Sequence, residues 1–377
     1  MKRLILAGGG HAHLHVLKSL ARQPWPGVEV VLVSPWRRQI YSGMVPGWMA
    51  GHYRLEQCAA ALAPLARAAG VRFVQDAVSG LDAWRRVVRT ANSGDLAYDT
   101  LSLDIGAEVD CSCLAASGAR LLSIRPLEHF VVGWERLIAA ARARGTAAVA
   151  VVGGGAAGVE LALAARYRLA GELGAAHVQV SLVAGGGLLP GHGQRIVDRA
   201  SATLAEHAVD LLAGYAAGTP TGLLLDNGRT IAADCVIAAT GVRPAAWLAT
   251  SGLALADDGF LAVGSGQQSQ SHDEVFAGGD VASRVDAPHA KSGVYAVRAG
   301  PVLAGNLQRQ LQGLPPLAYQ PQQRSLYLLA TGPRQAIVSW GGLAAGGAWA
   351  WRWKDWIDRR FMSQYDSPPG HPQEERA

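Results

Sequence analysis

The chain has 377 residues, of which 50% are hydrophobic and only 17% are charged. This composition can bury large cores and excludes an intrinsically disordered protein. The formal net charge of +5 suits an anionic ligand such as a nucleotide, but no long run of lysine and arginine indicates a nucleic-acid-binding arm. The length predicts two or three domains, and we expect no nucleic-acid partner.

Cysteine usage and the N-terminus bear on the cellular compartment. The four cysteines (Cys58, Cys111, Cys113 and Cys235) form no Cys-x-x-Cys pair and are too few for a disulfide scaffold. Only four apolar residues precede the first glycines, which is too short for a signal peptide. Apart from the second glycine-rich segment, which Glu160 interrupts, no apolar run approaches the roughly 20 residues that span a bilayer. We therefore expect a cytoplasmic protein.

The first segment predicts a strand, a glycine-rich turn and a helix. Residues 3–7 are typical of a strand, residues 8–13 read Gly-Gly-Gly-His-Ala-His, a helix follows over 11–22, and a second strand covers 28–33. Such a turn places a dinucleotide pyrophosphate at a helix N-terminus, where free amides and the helix dipole favour negative charge. This copy is irregular, because His13 replaces the third glycine and Ser34 stands where a ribose-binding acid is usual.

The histidines of this turn allow a second interpretation. A His-x-His pair at a strand end binds zinc in metal-dependent amidohydrolases, and neutral imidazole is a good zinc ligand. On a helix, however, His11 and His15 share one face while His13 points elsewhere. No later acids or cysteines complete an obvious ligand set, so the dinucleotide turn is favoured and we expect no metal.

A second strand-turn-helix unit begins about 145 residues later. Short strands are predicted between the units at 71–78, 87–90 and 98–104, and residues 123–126 resemble a hinge. The second unit has a strand over 149–152, all three glycines of the turn over 153–158, a helix over 156–170 and a strand over 177–183. Residues 183–186 (Val-Ala-Gly-Gly) carry neither an acid for NADH nor an arginine for a 2′-phosphate, so the choice of cofactor stays open.

The remaining elements follow in a recognisable order. A hairpin turn at 226–228 precedes the strand 235–239, which runs into Thr240-Gly241, and a strand at 275–277 runs into Gly278-Gly279-Asp280. A helix is predicted over 292–311, and two strand-like runs cover 325–330 and 335–340.

Over residues 1–320, these landmarks resemble the pyridine-nucleotide disulfide oxidoreductase-like flavoproteins, closest to the branch of type II NADH dehydrogenases and sulfide:quinone oxidoreductases. The helix disulfide of glutathione and lipoamide reductases is absent. A narrower resemblance rests on the opening Gly-Gly-Gly-His-Ala-His and on residues 41–47, 291–298 and 353–362. These segments are similar to a flavoprotein subfamily that occurs alone or fused ahead of selenophosphate synthetase.

The resemblance implies an α/β fold with two Rossmann-like dinucleotide-binding domains. An FAD domain would comprise residues 1–124 and 245–320, with an NAD(P)H domain of residues 125–244 inserted in it. Residues 321–377 would form a C-terminal region with strands, a Trp-rich amphipathic helix and a disordered tail.

The resemblance also implies the binding residues. FAD would contact residues from both parts of its domain: Gly8, Gly10, His13, Ser34, Arg38, Ser42, Gly43, Val78, Gly106, Gly279 and Asp280. The nicotinamide dinucleotide would contact Gly153, Gly155, Gly158 and Thr240.

Two residues are candidates for catalysis. Glu160 matches a glutamate that type II dehydrogenases place near flavin and nicotinamide, although a buried helix acid paired with a polar neighbour is an equal alternative. Lys291 would lie near the isoalloxazine, where a cation could stabilise reduced flavin. The alternative for Lys291 is a surface lysine near a helix start.

The implied activity is hydride transfer from NADH or NADPH to FAD and onward to a quinone or another small acceptor. The cysteines give no set flanking the flavin, which argues against sulfide chemistry. The helix over 349–362 suits either an interfacial membrane contact on the cytoplasmic face of the inner membrane or packing on the flavin domain. A homodimer is a further option. The alternative function is a flavin-bearing redox sensor or partner module of selenium or sulfur metabolism, with negligible NAD(P)H turnover.

Overall fold

The computed structural model describes residues 1–322, 324–341 and 343–366. The predicted disordered tail, from residue 367 onward, lies outside the described residues. The strands, in chain order, are β1 (Lys2–Ala7), β2 (Val28–Val33), β3 (Arg38–Ile40), β4 (Ala59–Ala61), β5 (Arg72–Val74), β6 (Val78–Asp82), β7 (Val87–Thr90), β8 (Asp95–Ala97) and β9 (Thr100–Leu103). They continue with β10 (Glu108–Val109), β11 (Leu121–Ser123), β12 (Ala147–Val152), β13 (Val178–Ala184), β14 (Val209–Ala213), β15 (Ala216–Thr219), β16 (Gly222–Leu225), β17 (Thr230–Ala232), β18 (Cys235–Ala238) and β19 (Val242–Arg243).

The last strands are β20 (Leu261–Val263), β21 (Val275–Ala277), β22 (Ala282–Arg284), β23 (Tyr327–Ala330), β24 (Ala336–Trp340) and β25 (Leu343–Gly347). The helices are α1 (His11–Arg22), α2 (Val45–Met49), α3 (Leu62–Ala68), α4 (Leu127–Arg144), α5 (Ala156–Leu173), α6 (Gln194–Glu206), α7 (Gly293–Leu311) and α8 (Ala348–Met362).

The first sheet has five parallel strands in the order β21-β9-β1-β2-β5. Its central strands are short apolar runs that are buried almost throughout, as expected for a parallel sheet covered on both faces. Helices α1 and α7 pack on one face, where Leu14, Leu17, Leu303 and Leu307 share a core. The glycine turn of residues 8–10 therefore lies at the carboxyl end of a central strand.

The second sheet repeats this arrangement with the order β11-β18-β12-β13-β14, again all parallel. Its glycine turn follows the central strand β12 and leads into α5. The two sheets confirm the predicted α/β fold with two Rossmann-like units. The first sheet draws strands from before and after the second, since β21 follows β18 in the chain.

Two details differ from the predicted elements. The single strand expected at 71–78 is two strands, β5 and β6, in different sheets. Asp76 separates them, because its carboxylate accepts hydrogen bonds from the amides of Ala77, Asn92 and Ser93. Strand β11, at the predicted hinge, pairs with β18 in the second sheet, so residues 121–123 lie with that sheet. The antiparallel pair β10–β19 links the two units.

The C-terminal part is an antiparallel sheet, β23-β24-β25, followed by α8. Helix α8 packs inward through Ala350, Asp358, Phe361 and Met362. Phe361 is 7% exposed and belongs to the same core as α1 and α7, so this end of the helix packs on the first unit. Among the described residues, no helix is long and apolar enough to cross a membrane.

Candidate functional site

The turn between β1 and α1 depends on close backbone packing. Gly8 has a φ of +94°, and a Cβ on it would overlap the carbonyl of Asp104 at the end of β9. Its amide donates to the carbonyl of Val33 (2.8 Å). Gly10 is the N-cap of α1 and supplies no side-chain hydrogen bond, and the carboxylate of Asp104 lies beside this helix start.

The turn between β12 and α5 has the same geometry with all three glycines. Gly153 has a φ of +129°, and a Cβ on it would overlap the carbonyl of Ala239. A Cβ on Gly158 would overlap the carbonyl of Gly153, so the third glycine is required for helix and strand to approach. Gly155 is the N-cap of α5, and the space beside it is open. Both turns can therefore receive a dinucleotide pyrophosphate.

A cleft of about 460 Å³ opens beside the first turn. It lies between the ends of β1, β2 and β9 and the start of α7. Nine of the residues expected to contact FAD line it: Gly8, Gly10, Ser34, Arg38, Ser42, Val78, Gly106, Gly279 and Asp280. A cleft lined by glycines at a helix N-terminus suits a dinucleotide.

Two ion pairs in this cleft were not predicted from the sequence. Arg125 contacts Asp280 at 2.6 Å, and Arg38 makes a bidentate pair with Glu128 at 2.9 and 3.0 Å. Both Arg125 and Glu128 line the cleft, close to the predicted hinge. The hydrogen bonds that Arg38 donates to the carboxylate of Glu128 raise the pKa of Arg38. These pairs fix the cleft walls, and only their positions in the fold reveal them.

His13 lies behind the turn and does not line the cleft. It is 0% exposed, with Nδ1 2.6 Å from the carbonyl of Gly8 and Nε2 2.8 Å from the hydroxyl of Ser102. Burial lowers its pKa to about 4, so the imidazole is neutral and can donate to the carbonyl while it accepts from Ser102. In the first turn the imidazole ring thus bridges Gly8 and Ser102, whereas the second turn has no room for a side chain at the equivalent Gly158. Across the described residues, no group of three or more His, Cys, Asp or Glu could hold a metal ion.

Lys291 does not line the cleft, although it lies near Asp280, which does. Its ammonium group donates to the carbonyl of Ala282 (2.7 Å) and the hydroxyl of Ser283 (2.6 Å), lies 3.5 Å from Asp258, and sits over the ring of Phe260. Burial lowers its pKa. The Lys291 side chain is only 15% exposed, so it is not the surface lysine of the alternative interpretation, and a position beside the isoalloxazine stays a prediction.

A different lysine approaches the cleft from the C-terminal helix. Lys354 of α8 donates to the carbonyl of Gly43 (2.7 Å) and to Asp358 (3.0 Å). Gly43, an expected FAD contact, follows the cleft residue Ser42 but does not itself line the cleft. The sequence signal that could have found this pair is the i,i+4 spacing of a lysine and an acid on an inward-facing, largely apolar stripe.

Glu160 lies on α5, close enough to Lys354 for their charges to interact. Its Oε1 accepts the amide of Ala330 at 2.8 Å. Burial raises the pKa of Glu160 to about 7, and the charge of Lys354 opposes that rise. The hydrogen bond to β23 matches the structural alternative for Glu160, while the raised pKa suits a group that exchanges a proton near neutral pH.

Thr240 and the end of β13 frame the second turn. The hydroxyl of Thr240 donates to the carbonyl of Asp110 (2.6 Å), and its backbone amide lies against Gly153. The strand β13 ends in Ala184, followed by three glycines, and the ring of Tyr215 packs beside Gly185. No ionised side chain within this glycine run selects between NADH and NADPH.

Comparisons with known proteins agree with a fold that has two dinucleotide-binding units. The family described as pyridine nucleotide-disulphide oxidoreductase matches residues 2–300. No curated protein sequence matches the chain. The structure is similar to the sulfide:quinone oxidoreductase from the hyperthermophilic bacterium Aquifex aeolicus, with 18% identity, a TM-score of 0.79 and coverage of 97% of this chain and 91% of that chain.

Two further solved structures share this fold. One is NDH2 from Plasmodium falciparum in complex with NADH, with 13% identity, a TM-score of 0.78 and coverage of 97% of this chain and 99% of that chain. The other is the water-forming NADH oxidase from Lactobacillus brevis bound to NADH, with 20% identity, a TM-score of 0.73 and coverage of 90% of this chain and 75% of that chain. At these identities the likeness shows the fold.

Proposed function

Because this chain belongs to the pyridine nucleotide-disulphide oxidoreductase family, we propose that it passes electrons from NADH or NADPH, through FAD, to a quinone or another small oxidant. The chain is an FAD-dependent oxidoreductase with NAD(P)H as its co-substrate. The observation that carries the proposal is the presence of two strand-turn-helix units in one chain, the first of which opens into the cleft. FAD held in the cleft would supply a hydride acceptor for the nicotinamide and a donor of electrons to the final oxidant.

Different residues of the cleft suit different parts of FAD. The amides at the start of α1 and the backbone at Gly279 would hold the pyrophosphate. Ser34, at the end of β2, would bond the ribose hydroxyls. The start of α7, at Gly293, directs a positive helix end into the cleft, where it favours an electron-rich group. The domain limits of 1–124 with 245–320 for FAD and 125–244 for NAD(P)H remain proposals, and the pairing of β11 with β18 favours a first boundary before residue 121.

Quinone is the proposed acceptor for two reasons. One structural neighbour that covers nearly the whole chain is a sulfide:quinone oxidoreductase. The C-terminal part also carries exposed aromatic side chains that suit a site reached from a lipid surface. Sulfide is not proposed as the donor, because among the residues lining the described cleft there is no cysteine, and Cys58 and Cys235 are buried elsewhere.

Anaerobic reduction tests this function directly. Addition of NADH or NADPH to the protein with bound FAD is expected to bleach the long-wavelength flavin absorbance band, and a soluble quinone is expected to restore it. Dithionite serves as the control that the flavin can be reduced at all. If neither nucleotide bleaches a flavin that dithionite does bleach, hydride transfer is excluded and the redox-partner alternative is favoured.

A peripheral membrane contact is the second part of the proposal. Trp349 and Trp356 of α8 are 47% and 56% exposed, and Trp340 at the adjoining hairpin is 54% exposed. Arg360 lies over the ring of Trp356. Exposed tryptophan beside arginine suits the headgroup region of an anionic bilayer, where the ring is buried and the cation meets lipid phosphates.

We expect the full chain to sediment with phosphatidylglycerol-containing vesicles, and the double change Trp349→Ser with Trp356→Ser to weaken that binding at least about tenfold, since each ring contributes ~1.5 kcal/mol or more when buried. The matched control is Trp84→Ser, which removes a tryptophan that is 79% exposed on another part of the surface. Equal losses for both variants, or no vesicle binding by the parent protein, would contradict the contact.

A further inference from the structure

The two glycine turns differ at one position of the strand that packs against them. The first glycine of each turn lies against backbone atoms of an equivalent strand residue, Asp104 for Gly8 and Ala239 for Gly153. The second unit thus has a methyl group where the first has a carboxylate. The third position of the turn also differs, since it is His13 in the first unit and Gly158 in the second.

The carboxylate of Asp104 occupies the helix start that should receive the pyrophosphate. Its Oδ2 accepts the amide of His13 at 2.9 Å, within the first turn of α1. Its oxygens also fill the space beside Gly10 and Gly279, both of which line the cleft. In the second unit, the corresponding space beside Gly155 is empty. An anionic side chain therefore competes with an anionic ligand for the positive end of one helix.

The groups facing Asp104 do not neutralise it. Asp280, from the turn after β21, adds a second negative charge, and its own partner is Arg125. His11 and His13, from α1, are both held neutral because burial lowers the pKa of each to about 4. On the opposite wall, Arg38 is paired with Glu128. Among the described residues, Asp104 forms no ion pair.

We propose that Asp104 couples FAD binding to protonation, so that the side chain is neutral when FAD is bound and the protein takes up a proton together with the cofactor. One proton moves from solvent to an oxygen of Asp104, and no electron moves. The neutral carboxyl group still accepts the amide of His13 through one oxygen, and its O–H gains the ability to donate. The proposal rests on FAD binding to this cleft.

The physical reason is that two negative charges in a buried site repel strongly. Burial already raises the pKa of Asp104 to about 7 before any ligand is present. A neighbouring pyrophosphate raises the pKa of this carboxyl group further. Between the pKa of Asp104 in the free protein and its pKa in the FAD-bound protein, binding is therefore accompanied by uptake of a proton from solvent. The affinity then falls as the pH rises, by at most about tenfold per unit.

The test uses the full chain stripped of FAD and titrated with FAD, followed by flavin fluorescence and by calorimetry in two buffers of different ionisation enthalpy. For the parent protein we expect the Kd to rise about tenfold or more between pH 6.5 and pH 8.5. We also expect uptake of a large fraction of one proton per FAD at pH 8. Asp104→Asn keeps the acceptor oxygen for His13 but cannot carry the charge, so it is expected to bind FAD with a nearly pH-independent Kd and no proton uptake.

Asp99→Asn is the matched control, because Asp99 precedes the same strand at its far end and accepts the amide of Arg3 (2.6 Å). It should keep the pH dependence of the parent. An equal pH dependence in the parent and Asp104→Asn, or no proton uptake by the parent, overturns the proposal. The measurement of proton uptake uses only the parent protein, so it does not depend on whether a variant folds. Asp104→Ala, which places at this position the methyl group that Ala239 has in the second unit, is a second variant without the charge. Failure of the parent to bind FAD at any pH would instead overturn the proposed function, and this inference with it.

Discussion

Gly155→Asp is expected to slow reduction by NADH and NADPH strongly while the bound flavin and the fold are retained. Gly155 is the N-cap of α5, with φ −72° and ψ 178°, and no atom lies within 4 Å of a Cβ built there. Aspartate is among the preferred N-cap residues, so the variant should be as stable as the parent or more stable. Its carboxylate, however, lies where the pyrophosphate of the co-substrate must bind.

Placing like charges together in a binding site costs several kcal/mol, so we expect kcat/KM for both nucleotides to fall at least about a hundredfold. The measurement is the rate of anaerobic flavin bleaching by each nucleotide. Bleaching by dithionite should be unchanged, since that reductant does not need the second turn. Gly155→Ala is the matched control, because a methyl group fits the same open space without a charge. A Gly155→Asp protein that is still bleached at the parental rate would show that the nucleotide binds elsewhere.

The same substitution is not available in the first turn. Gly10 has nearly the same backbone angles as Gly155, but a Cβ there would overlap the carboxylate of Asp104. The two turns look equivalent as sequence, and what separates them is a side chain that approaches from another strand. The sequence alone therefore recognised two pyrophosphate sites but could not rank their tolerance of substitution.

The local sequence pattern was sufficient to predict the strands and helices that flank the glycine turns. Helix α1 covers the predicted residues 11–22, and β2 covers 28–33, because apolar periodicity and the flanking Pro and Gly residues are properties of the segment itself. Helix α5 runs to Leu173, three residues beyond the predicted end, since the Gly171 at which the prediction stopped is accommodated inside the helix.

Contacts between distant segments could not be predicted in this way. Asp104 meets the amide of His13 across 91 positions, and Lys354 meets Gly43 across 311. In both cases the residue type is visible in the sequence, but its direction depends on how two elements pack. The choice between Lys291 and Lys354 shows the consequence. Both lie in segments that resemble the same subfamily, yet the structure places only the ammonium group of Lys354 on the backbone next to the cleft.

Lys354→Met is expected to destabilise the protein by about 3 kcal/mol or more and to weaken FAD binding, because it leaves buried acids without their cation. Asp358 is 3% exposed and would lose its only described ion-pair partner. Lys354 also opposes the burial that raises the pKa of Glu160, so without it the pKa of Glu160 should rise further above 7. The loss of the hydrogen bond to Gly43 frees the loop that carries Ser42 in the cleft wall.

The pH dependence of this loss has a definite sign. A carboxyl group whose pKa is higher in the folded than in the unfolded protein favours folding at low pH and loses that contribution as the pH rises. The deficit of Lys354→Met in the free energy of unfolding should therefore grow between pH 5 and pH 8, as measured by urea denaturation at each pH. In the double variant Lys354→Met with Asp358→Leu, most of the deficit should disappear, because no charge in that pair is left unpaired.

Lys291→Met is the matched control for Lys354→Met, because it removes the other candidate cation. Its nearest acid, Asp258, has a side chain that is 48% exposed, so water can replace the lost ammonium group and the change should cost less than about 1 kcal/mol. If Lys354 is the cation that acts on the flavin site, then only Lys354→Met will shift the flavin spectrum and its Kd. The reverse result, a shifted spectrum in Lys291→Met alone, would mean that the loop over 285–292 moves toward the flavin when it binds. The position beside the isoalloxazine would then belong to Lys291, as the family resemblance implies, and Lys354 would only anchor the C-terminal helix.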